Sequence, residues 1–510
     1  MIRTSSGTYR GPVRLRPTIA LIAGIAAAGV GLAGSPASAA IGPKAVPGWS
    51  MVPMSKDANG DGFIDGDGGV PRTGALSLRP SPTFIGAGNG IAQSHERLIG
   101  GSLSWYLDPA GYPVRLDACR STGTSYSWTI EGPSGSRTTP ARALKKRTCK
   151  TTVLLPEGPH TLTLTVTRGG RTASATTQAE VRNILVVAMG DSYASGVGNP
   201  RNVDAWLRSS GLFTSFDPYW DDDACDRSVH GAPAQAALAL ETSSPRTSVT
   251  LVNVTCGGAT IGAGILGPQR SARQTQSQIE QVRGIVGGRP IDIVTLSVGG
   301  NDIGFAQVLA GCATDADCAI RPVPNPPLRG YPTMQQGIQA LTGALPAGYA
   351  QIAGCLGGAS CPSGSPLTMA PDARILPTMY PDITRSADGG PCTYLTFTAD
   401  NMRWARDTML VPGPAPTYEY PTANRAVVTL DLPNGSLNQQ IAATDRLGWR
   451  PVVQTWAASG DSPVGHGICA GPQAWAYPIT ALSGFAGASF HPNPAGQQVA
   501  AAALLAAMRP

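Results

Sequence analysis

Ser192 stands in a segment whose residue types would suit nucleophilic catalysis. The tripeptide Gly190-Asp191-Ser192 directly follows an apolar run at 184–188, which is typical of a buried strand. A serine at the carboxyl end of a parallel strand lies at the sheet edge where open α/β folds bind ligands. Gly, Asp and Ser are also common turn residues, so the tripeptide alone leaves an ordinary turn as the alternative. A serine nucleophile would need a base and oxyanion donors from other parts of the chain.

Three later segments carry glycine and polar residues that could complete such a site. They are NVTCGGAT at 253–260, SVGGNDIGF at 297–305 and FHPNPAG at 490–496. The first two follow strand-like apolar runs. Together with the Ser192 segment, and in this order, they resemble the sequence blocks of the SGNH (GDSL) hydrolase family, in particular its secreted, disulfide-rich branch of esterases and lipases. The resemblance extends from Arg182 to the C-terminus.

The resemblance implies serine ester hydrolysis and assigns roles to four residues. Ser192 is expected to be the nucleophile, and His491 the general base that takes its proton. The expected oxyanion hole consists of the backbone N–H groups of Ser192 and Gly258 and the side-chain amide of Asn301. His466 is the competing histidine, for which a structural place or one at the rim of the cleft is the favoured alternative.

The sequence departs from the family pattern at the residue that usually orients the base. Most members have an aspartate three residues before the histidine, whereas this chain has Ala488 there. Some members of the secreted branch use a backbone carbonyl instead, so we expect a Ser–His dyad in which the Ala488 carbonyl orients His491. The alternative is Asp461, reaching in from another loop. Asp191 and Asp302 are expected to be structural and to hold their loops.

Composition and the N-terminal sequence indicate an exported globular protein. A length of 510 residues allows two domains, and 42% hydrophobic with 14% charged residues argues against charge-driven disorder in most of the chain. The net charge of +6 is small and scattered, which argues against nucleic acid as a partner. Arginines, an apolar stretch at 19–32 and the Ala37-Ser38-Ala39 sequence predict a signal peptide over residues 1–39. An uncleaved membrane anchor is the alternative there, and no other stretch predicts a stable membrane span.

The ten cysteines suit a chain that leaves the reducing cytosol. Their order and proximity suggest five disulfides: Cys119–Cys149, Cys225–Cys256, Cys312–Cys318, Cys355–Cys361 and Cys392–Cys469. The second, third and fifth of these pairs resemble the bridges of the secreted SGNH esterases. A zinc site is the alternative for any set of these cysteines, but no paired Cys-x-x-Cys motif supports it.

A Gly- and Asp-rich linker is predicted over residues 40–74. Within it, the segment at 57–65 resembles the first nine positions of an EF-hand calcium loop. Its candidate metal ligands are Asp57, Asn59, Asp61 and Asp65. The twelfth position, where an EF-hand has a bidentate glutamate, is Gly68, and a plain acidic turn is the alternative. No cofactor is expected to be required for catalysis, so a bound calcium ion would be structural.

A small all-β domain is predicted over residues 75–182. Segments at 113–119, 125–130 and 154–166 have strand composition, and the last alternates leucine and valine with threonine. A tryptophan-bearing strand, a glycine-containing turn and a threonine-rich closing strand resemble a PKD-like or immunoglobulin-like sandwich. Such a domain would be a carbohydrate or surface adaptor, or a plain spacer.

Strand-like and helix-like runs alternate over residues 183–510. Strands are predicted at 184–189, 249–254, 291–298, 373–379 and 451–454, and helices at 232–241, 272–286, 333–355 and 437–447. This alternation predicts an α/β fold with a doubly wound parallel sheet. The resemblance makes that sheet the flavodoxin-like SGNH hydrolase fold, preceded by the all-β sandwich.

These features predict a secreted, extracellular serine esterase that acts on carboxylic esters, either lipid acyl esters or acetyl esters of glycans. Acyl transfer to an acceptor other than water would use the same residues. A cell-surface binding protein with a degenerate hydrolase domain is the alternative from another functional class. The protein is expected to be a monomer that associates with the cell envelope or a polysaccharide.

Overall fold

The computed structural model describes residues 42–52, 98–99, 102–103, 111–209, 216–394, 397–454, 465–480 and 485–509. The signal peptide predicted at 1–39, the candidate calcium ligands Asp57, Asn59, Asp61 and Asp65, and the alternative carboxylate Asp461 lie outside these residues. Within the described ranges, no group of three or more His, Cys, Asp and Glu side chains is arranged to hold a metal ion. No helix in the same ranges combines the length and apolar character needed to cross a membrane.

Ten strands lie in the β unit, which we define as the described residues between 48 and 181. They are β1 (Gly48–Met51), β2 (Leu98–Ile99), β3 (Ser102–Leu103), β4 (Tyr112–Asp117), β5 (Ser125–Gly132), β6 (Gly135–Thr138), β7 (Arg142–Ala143), β8 (Lys150–Leu155), β9 (Gly158–Arg168) and β10 (Arg171–Val181). One sheet has the order β1-β4-β8, the other β10-β9-β5-β6 with β7 beside β5, and β2 pairs with β3. Alternate residues of the two larger sheets share one hydrophobic core, which includes Leu116, Trp128 and Leu164.

The β unit begins earlier in the chain than the sequence predicted. Gly48–Met51 lies inside the predicted linker at 40–74, but it pairs antiparallel with β4, with Trp49 opposite Leu116. Trp49 and Met51 are buried, and Gly48 and Ser50, which alternate with them, are partly exposed. Four residues are too few for this period-two alternation to stand out in Gly- and Pro-rich sequence, so the linker prediction is wrong for this segment.

A four-stranded parallel sheet organises the rest of the chain. Its strands are β11 (Asn183–Gly190), β12 (Ser248–Asn253), β13 (Ile291–Ser297) and β14 (Met369–Pro377), in the order β12-β11-β13-β14. In the parallel ladders, Val186 lies opposite Leu251 on one side and Ile293 on the other. Because the chain runs from β11 to β12 on one side and then to β13 on the other, a topological switch point lies at the carboxyl ends of β11 and β13. The predicted parallel α/β sheet is confirmed for these four strands.

Helices from this part of the chain cover both faces of the sheet. The described helices are α1 (Ser192–Ser195), α2 (Val203–Ser209), α3 (Ala232–Thr242), α4 (Gln278–Val286), α5 (Phe305–Cys312), α6 (Met334–Cys355), α7 (Ala399–Ala405), α8 (Leu437–Ala442) and α9 (Pro494–Met508), of which α3, α4, α6 and α9 pack on the faces. Val186 and Ala188 of β11 pack with α3 and α9 in one core. Leu185, Val187 and Met189 face the opposite way and pack in a second core with α4 and α6. This layering is the doubly wound arrangement.

Shorter elements complete the described chain. An antiparallel hairpin pairs β15 (Thr417–Pro421) with β16 (Val427–Asp431). Segments of 3₁₀ helix lie at 270–272, 318–320, 443–447, 471–473 and 486–488, and a π-helical segment lies at 406–410.

Two predicted elements are shorter in the structure. Where a strand was predicted at 451–454, the structure has only a single parallel bridge between Thr378 and Val452, and no ladder extends from it. The helix predicted at 272–286 begins at Gln278, since Ser277 and Glu280 form a capping box that fixes its first turn.

The β unit contacts the parallel sheet at the ends where the strands begin. Arg182 alone separates β10 from β11, and its Nη2 atom lies 2.7 Å from Oδ1 of Asp292, the second residue of β13. Arg246, two residues before β12, lies over the Trp49 ring at 5.0 Å from the centroid. The β unit therefore lies away from the carboxyl ends, where the switch point is.

Five disulfides join the ten cysteines: Cys119–Cys149, Cys225–Cys256, Cys312–Cys318, Cys355–Cys361 and Cys392–Cys469. These are the pairs that the order of the cysteines suggested. The second pair holds the loop after β12, where the Gly257 N–H also donates to the Cys225 carbonyl at 2.8 Å.

Candidate active site

Ser192 is the first residue of α1 and comes directly after the carboxyl end of β11 and the cap residue Asp191. Gly190 permits the turn between them, since its φ is +141° and a Cβ there would lie 2.5 Å from the Ser297 carbonyl oxygen. Asp191 caps the helix, with Oδ1 accepting a hydrogen bond from the Tyr193 N–H at 3.1 Å. The half-buried Ser192 side chain therefore lies at the switch point.

The Asp191 carboxylate is bound into the scaffold beneath Ser192. It accepts hydrogen bonds from the Ser297 hydroxyl at 2.9 Å and from the Tyr380 hydroxyl. Burial raises the pKa of Asp191 to about 6, against the lowering effect of these hydrogen bonds. These contacts fit the structural role expected for Asp191, which joins the ends of β11 and β13.

The loops after β12 and β13 carry the other expected oxyanion donors and are tied to each other. The Asp302 carboxylate accepts the Ile261 N–H at 3.0 Å, and Asn301 Nδ2 donates to the Ala259 carbonyl at 3.0 Å. Burial raises the pKa of Asp302 to about 6, while the Ile261 hydrogen bond lowers it. These bonds hold the Gly258 loop against the Asn301 loop.

Three N–H groups at the carboxyl ends of the strands, which we call the carboxyl edge of the sheet, are open to a further acceptor. Neither the Ser192 nor the Gly258 backbone N–H makes a hydrogen bond with another described residue. Gly258 is exposed and has a φ of +77°, a conformation that favours glycine. Asn301 uses one amide N–H on Ala259 and has a second one left. The structure thus leaves all three predicted oxyanion donors with hydrogen-bonding capacity.

His491 lies in the loop between the 3₁₀ segment at 486–488 and α9. Its Nδ1 atom is 2.9 Å from the Ser489 carbonyl oxygen. Because a carbonyl can only accept, Nδ1 carries the proton in the neutral ring and Nε2 is the basic atom. Burial lowers the pKa of His491 to about 4, against the raising effect of the Ser489 and Gly487 carbonyls. The ring is therefore neutral at pH 7, as a general base must be.

The prediction that the Ala488 carbonyl orients His491 is wrong. The Ala488 carbonyl accepts the backbone N–H of His491 at 3.0 Å. The carbonyl that faces Nδ1 belongs to Ser489, and the φ of +65° at Phe490 turns the chain between the two residues. A backbone carbonyl does face the ring, but it lies one residue later than the family spacing suggested.

Tyr193 connects the Ser192 helix with the His491 loop. Its hydroxyl donates to the Phe490 carbonyl at 2.8 Å, and its ring centroid lies 5.5 Å from that of His491. Gly198 adds a close contact, since a Cβ there would lie 3.2 Å from the His491 Cβ. Among the described residues, the Ser192 hydroxyl has no hydrogen-bond partner.

His466 lies in a packed aromatic pair. Its ring stacks on Trp475, with centroids 3.5 Å apart and planes 1° apart. Its Nδ1 atom lies 2.7 Å from the Gln473 carbonyl oxygen. These contacts agree with the structural alternative for this histidine.

Two side chains at this edge were missed by the sequence analysis. Gln278 binds both backbone groups of Gly190: its Oε1 accepts the N–H at 2.7 Å and its Nε2 donates to the carbonyl at 2.9 Å. Tyr380 hydrogen-bonds to the loops after β11 and β13. The place of Tyr380 just beyond a predicted strand is a signal that could have found it. A glutamine in a helical run gives no such signal.

Comparison with known proteins shows only distant structural similarity. No family model and no curated protein matches the chain. An extracellular lipase from Streptomyces rimosus is 20% identical with a TM-score of 0.38, over 64% of this chain and 100% of the lipase. Phospholipase A1 from Streptomyces albidoflavus is 20% identical with a TM-score of 0.36, over 64% and 99%. A family two carbohydrate esterase from Clostridium thermocellum is 12% identical with a TM-score of 0.26, over 78% and 91%. TM-scores this low assign neither an activity nor a residue role to this chain.

Proposed function

We propose that this protein is a serine ester hydrolase of the SGNH type that uses Ser192 and His491. The observation that carries the proposal is the convergence of three features at one sheet edge. They are a half-buried serine at a strand end, a neutral histidine whose Nε2 is basic, and three N–H groups open to an anionic oxygen. Ester cleavage through an acyl-enzyme needs these three functions together.

In the first half of the proposed reaction, Ser192 Oγ attacks the carbonyl carbon of the ester while His491 Nε2 takes the hydroxyl proton. The carbonyl oxygen becomes negatively charged and is stabilised by the N–H groups of Ser192, Gly258 and Asn301. The imidazolium then gives its proton to the departing alcohol as the ester C–O bond breaks. The acyl group remains on Ser192.

In the second half, His491 takes a proton from a water molecule that attacks the acyl-enzyme. The same three donors stabilise the oxyanion, and collapse of the intermediate releases the carboxylic acid and returns the proton to Ser192 Oγ. The Ser489 carbonyl accepts the Nδ1–H throughout, so it holds the ring orientation and stabilises the imidazolium. In this scheme a Ser–His dyad needs no carboxylate.

The proposed substrates are carboxylic esters of lipids or acetyl esters of glycans, and the proposed location is extracellular. The five disulfides support export to an oxidising compartment. The β unit lies at the opposite end of the strands, which supports a spacer or adaptor role for it. Activity on p-nitrophenyl esters of increasing chain length, compared with acetylated xylan, separates the two substrate classes. An added acceptor alcohol separates hydrolysis from acyl transfer by its ester product.

The nucleophile is tested by Ser192→Ala, with Ser195→Ala as the matched control. Ser195 lies on the same short helix, and its Oγ donates to the Ser192 carbonyl at 3.4 Å. Ser192→Ala should lose ester hydrolysis and covalent labelling by a fluorophosphonate and keep the thermal midpoint. Ser195→Ala should keep hydrolysis and labelling. Labelling of Ser192→Ala at the wild-type rate would place the nucleophile elsewhere.

A further inference from the structure

Tyr380 lies just beyond the carboxyl end of β14, and its side chain is buried in the protein interior, 4% exposed. Its hydroxyl donates a hydrogen bond to Asp191 Oδ2 and accepts one from the Gly300 N–H, which lies 3.0 Å away. Asp191 precedes Ser192, and Gly300 precedes Asn301. One oxygen atom therefore links the backbone beside the proposed nucleophile with the backbone beside a proposed oxyanion donor.

We infer that Tyr380 is a positioning residue that fixes the Asn301 oxyanion donor relative to the Ser192 nucleophile. The inference rests on the proposed function, because it concerns the geometry of the same ester cleavage. It explains why a tyrosine hydroxyl is buried between two loops that come from different strands.

Tyr380 is itself held from several sides. Its backbone N–H donates to Asn438 Oδ1 at 2.9 Å, and its carbonyl accepts from Asn438 Nδ2 at 2.8 Å. Its ring centroid lies 5.1 Å from that of Tyr193, edge-on, and 6.2 Å from that of Phe305. Since both the backbone and the ring are held, the hydroxyl has a fixed position from which it can set the two loops.

Gly300 lies in direct contact with the Tyr380 ring. A Cβ on Gly300 would lie 2.9 Å from Cζ and 3.0 Å from the hydroxyl oxygen of Tyr380. Gly300 is not among the glycines with positive φ. A Gly300→Ala substitution would therefore act through this contact and not through backbone strain. The contact between Gly300 and Tyr380 can thus be altered by substituting either residue.

Tyr380→Phe removes only the hydroxyl oxygen and leaves the Gly300 N–H without its partner. A misplacement of about 1 Å can reduce turnover roughly 10²-fold. We expect kcat to fall about 10- to 100-fold with KM changed less than about twofold, because the oxyanion donors act on the transition state. The affinity for an aryl boronate should fall by the same factor, since its tetrahedral adduct with Ser192 places an oxygen in the oxyanion hole.

Tyr420→Phe is the matched control. Tyr420 is a buried tyrosine of the same hydrophobic core, and its hydroxyl bonds to Asn401 and to the Ala316 carbonyl. Both substitutions remove one buried hydroxyl, so both should lower the thermal midpoint to a similar extent. Tyr420→Phe should keep the wild-type kcat and boronate affinity, which separates positioning from a general loss of stability.

Gly300→Ala should reproduce the kinetic signature of Tyr380→Phe, and it keeps the test decisive where Tyr380→Phe does not fold. Equal losses of kcat in Tyr380→Phe and Tyr420→Phe would overturn the inference. So would a wild-type boronate affinity in folded Tyr380→Phe. Activity retained by Ser192→Ala would overturn the proposed function itself, so the two failures are distinguishable.

Discussion

The β unit and the carboxyl edge of the parallel sheet use polar groups in opposite ways. On the exposed side of β9 and β10, hydroxyl groups pair with each other across the strands, as Thr163 does with Thr176 at 3.0 Å. At the carboxyl edge, Asp191 is buried and Asp302 is partly buried, and burial raises the pKa of each to about 6. The paired hydroxyl groups on this side of the β unit satisfy one another, whereas the backbone N–H groups of Ser192 and Gly258 at the carboxyl edge have no partner among the described residues.

The two regions thus show two uses of hydrogen bonds: some stabilise the fold, and others hold the donors of a candidate site in position. A sheet that serves stability alone pairs nearly all of its polar groups. A site needs donors that are fixed before the substrate arrives, so other bonds must hold them. At this edge those bonds come from Asp191, Gln278 and Tyr380. Substitutions at the edge should therefore change the rate more than the stability, and substitutions in the β unit the reverse.

The largest effect is expected for His491→Ala. Without a general base, kcat should fall roughly 10⁶-fold, the loss measured when the base of a serine hydrolase is removed. His466→Ala is the matched control, because it removes the other histidine of this part of the chain and its stacking on Trp475. It should keep kcat, measured with p-nitrophenyl acetate on folded protein. A comparable loss in His466→Ala would exchange the roles of the two histidines.

Trp128→Ala tests the expectation that a substitution in the β unit changes stability more than the rate. Trp128 is fully buried in the β unit. Its truncation should lower the free energy of unfolding by about 3–5 kcal/mol, as for other buried aromatic residues, while kcat below the unfolding transition stays unchanged. Urea denaturation gives the first quantity and steady-state kinetics the second. The exposed-side variant Thr163→Ala should change stability by less than about 0.5 kcal/mol. A loss of kcat in folded Trp128→Ala would show that the β unit takes part in the site.

The pH dependence of kcat/KM separates His491 from the buried carboxylates. His491 must be neutral to accept a proton, and its pKa is lowered to about 4, so kcat/KM should rise with pH through about 4. A histidine with the ordinary pKa of about 6.5 would leave only about a tenth of the activity at roughly pH 5.5. A midpoint near pH 6 would contradict the lowered pKa of His491, because an ordinary histidine, Asp191 and Asp302 all titrate in that range.

His491 and the two carboxylates Asp191 and Asp302 change the stability of the fold in opposite directions as the pH changes. Between pH 4 and 6.5 the unfolded chain binds more protons at His491 than the folded protein does, so this residue lowers stability as pH falls through that window. Asp191 and Asp302 have raised pKa values, so the folded protein binds more protons there than the unfolded chain does between about pH 4 and 6. Their contribution to stability is present at low pH and is lost as pH rises through about 6.

The sequence predicted the parts of this edge that depend on local pattern. Apolar runs followed by glycine and polar residues predicted where β11 and β13 end, and so where Ser192 and Asn301 lie. The orienting carbonyl was assigned to the wrong residue because it depends on the left-handed turn at Phe490, which a phenylalanine does not signal. Tyr380 was missed because its role comes from contacts between loops far apart in the chain.

The smallest effect is expected for Asp461→Asn, which tests whether the backbone alone orients the base. The His491 Nδ1 atom already faces the Ser489 carbonyl at 2.9 Å. In a Ser–His–Asp triad the aspartate-to-asparagine change costs about 10⁴ in kcat, because the imidazole is held in the wrong tautomer. Here the loss should stay below about tenfold, since the Ser489 carbonyl selects the same tautomer in wild type and variant. A loss near the triad value, in protein that is folded by circular dichroism, would establish a Ser192–His491–Asp461 triad. The orientation of His491 would then depend on a carboxylate from another loop and not on the Ser489 backbone carbonyl.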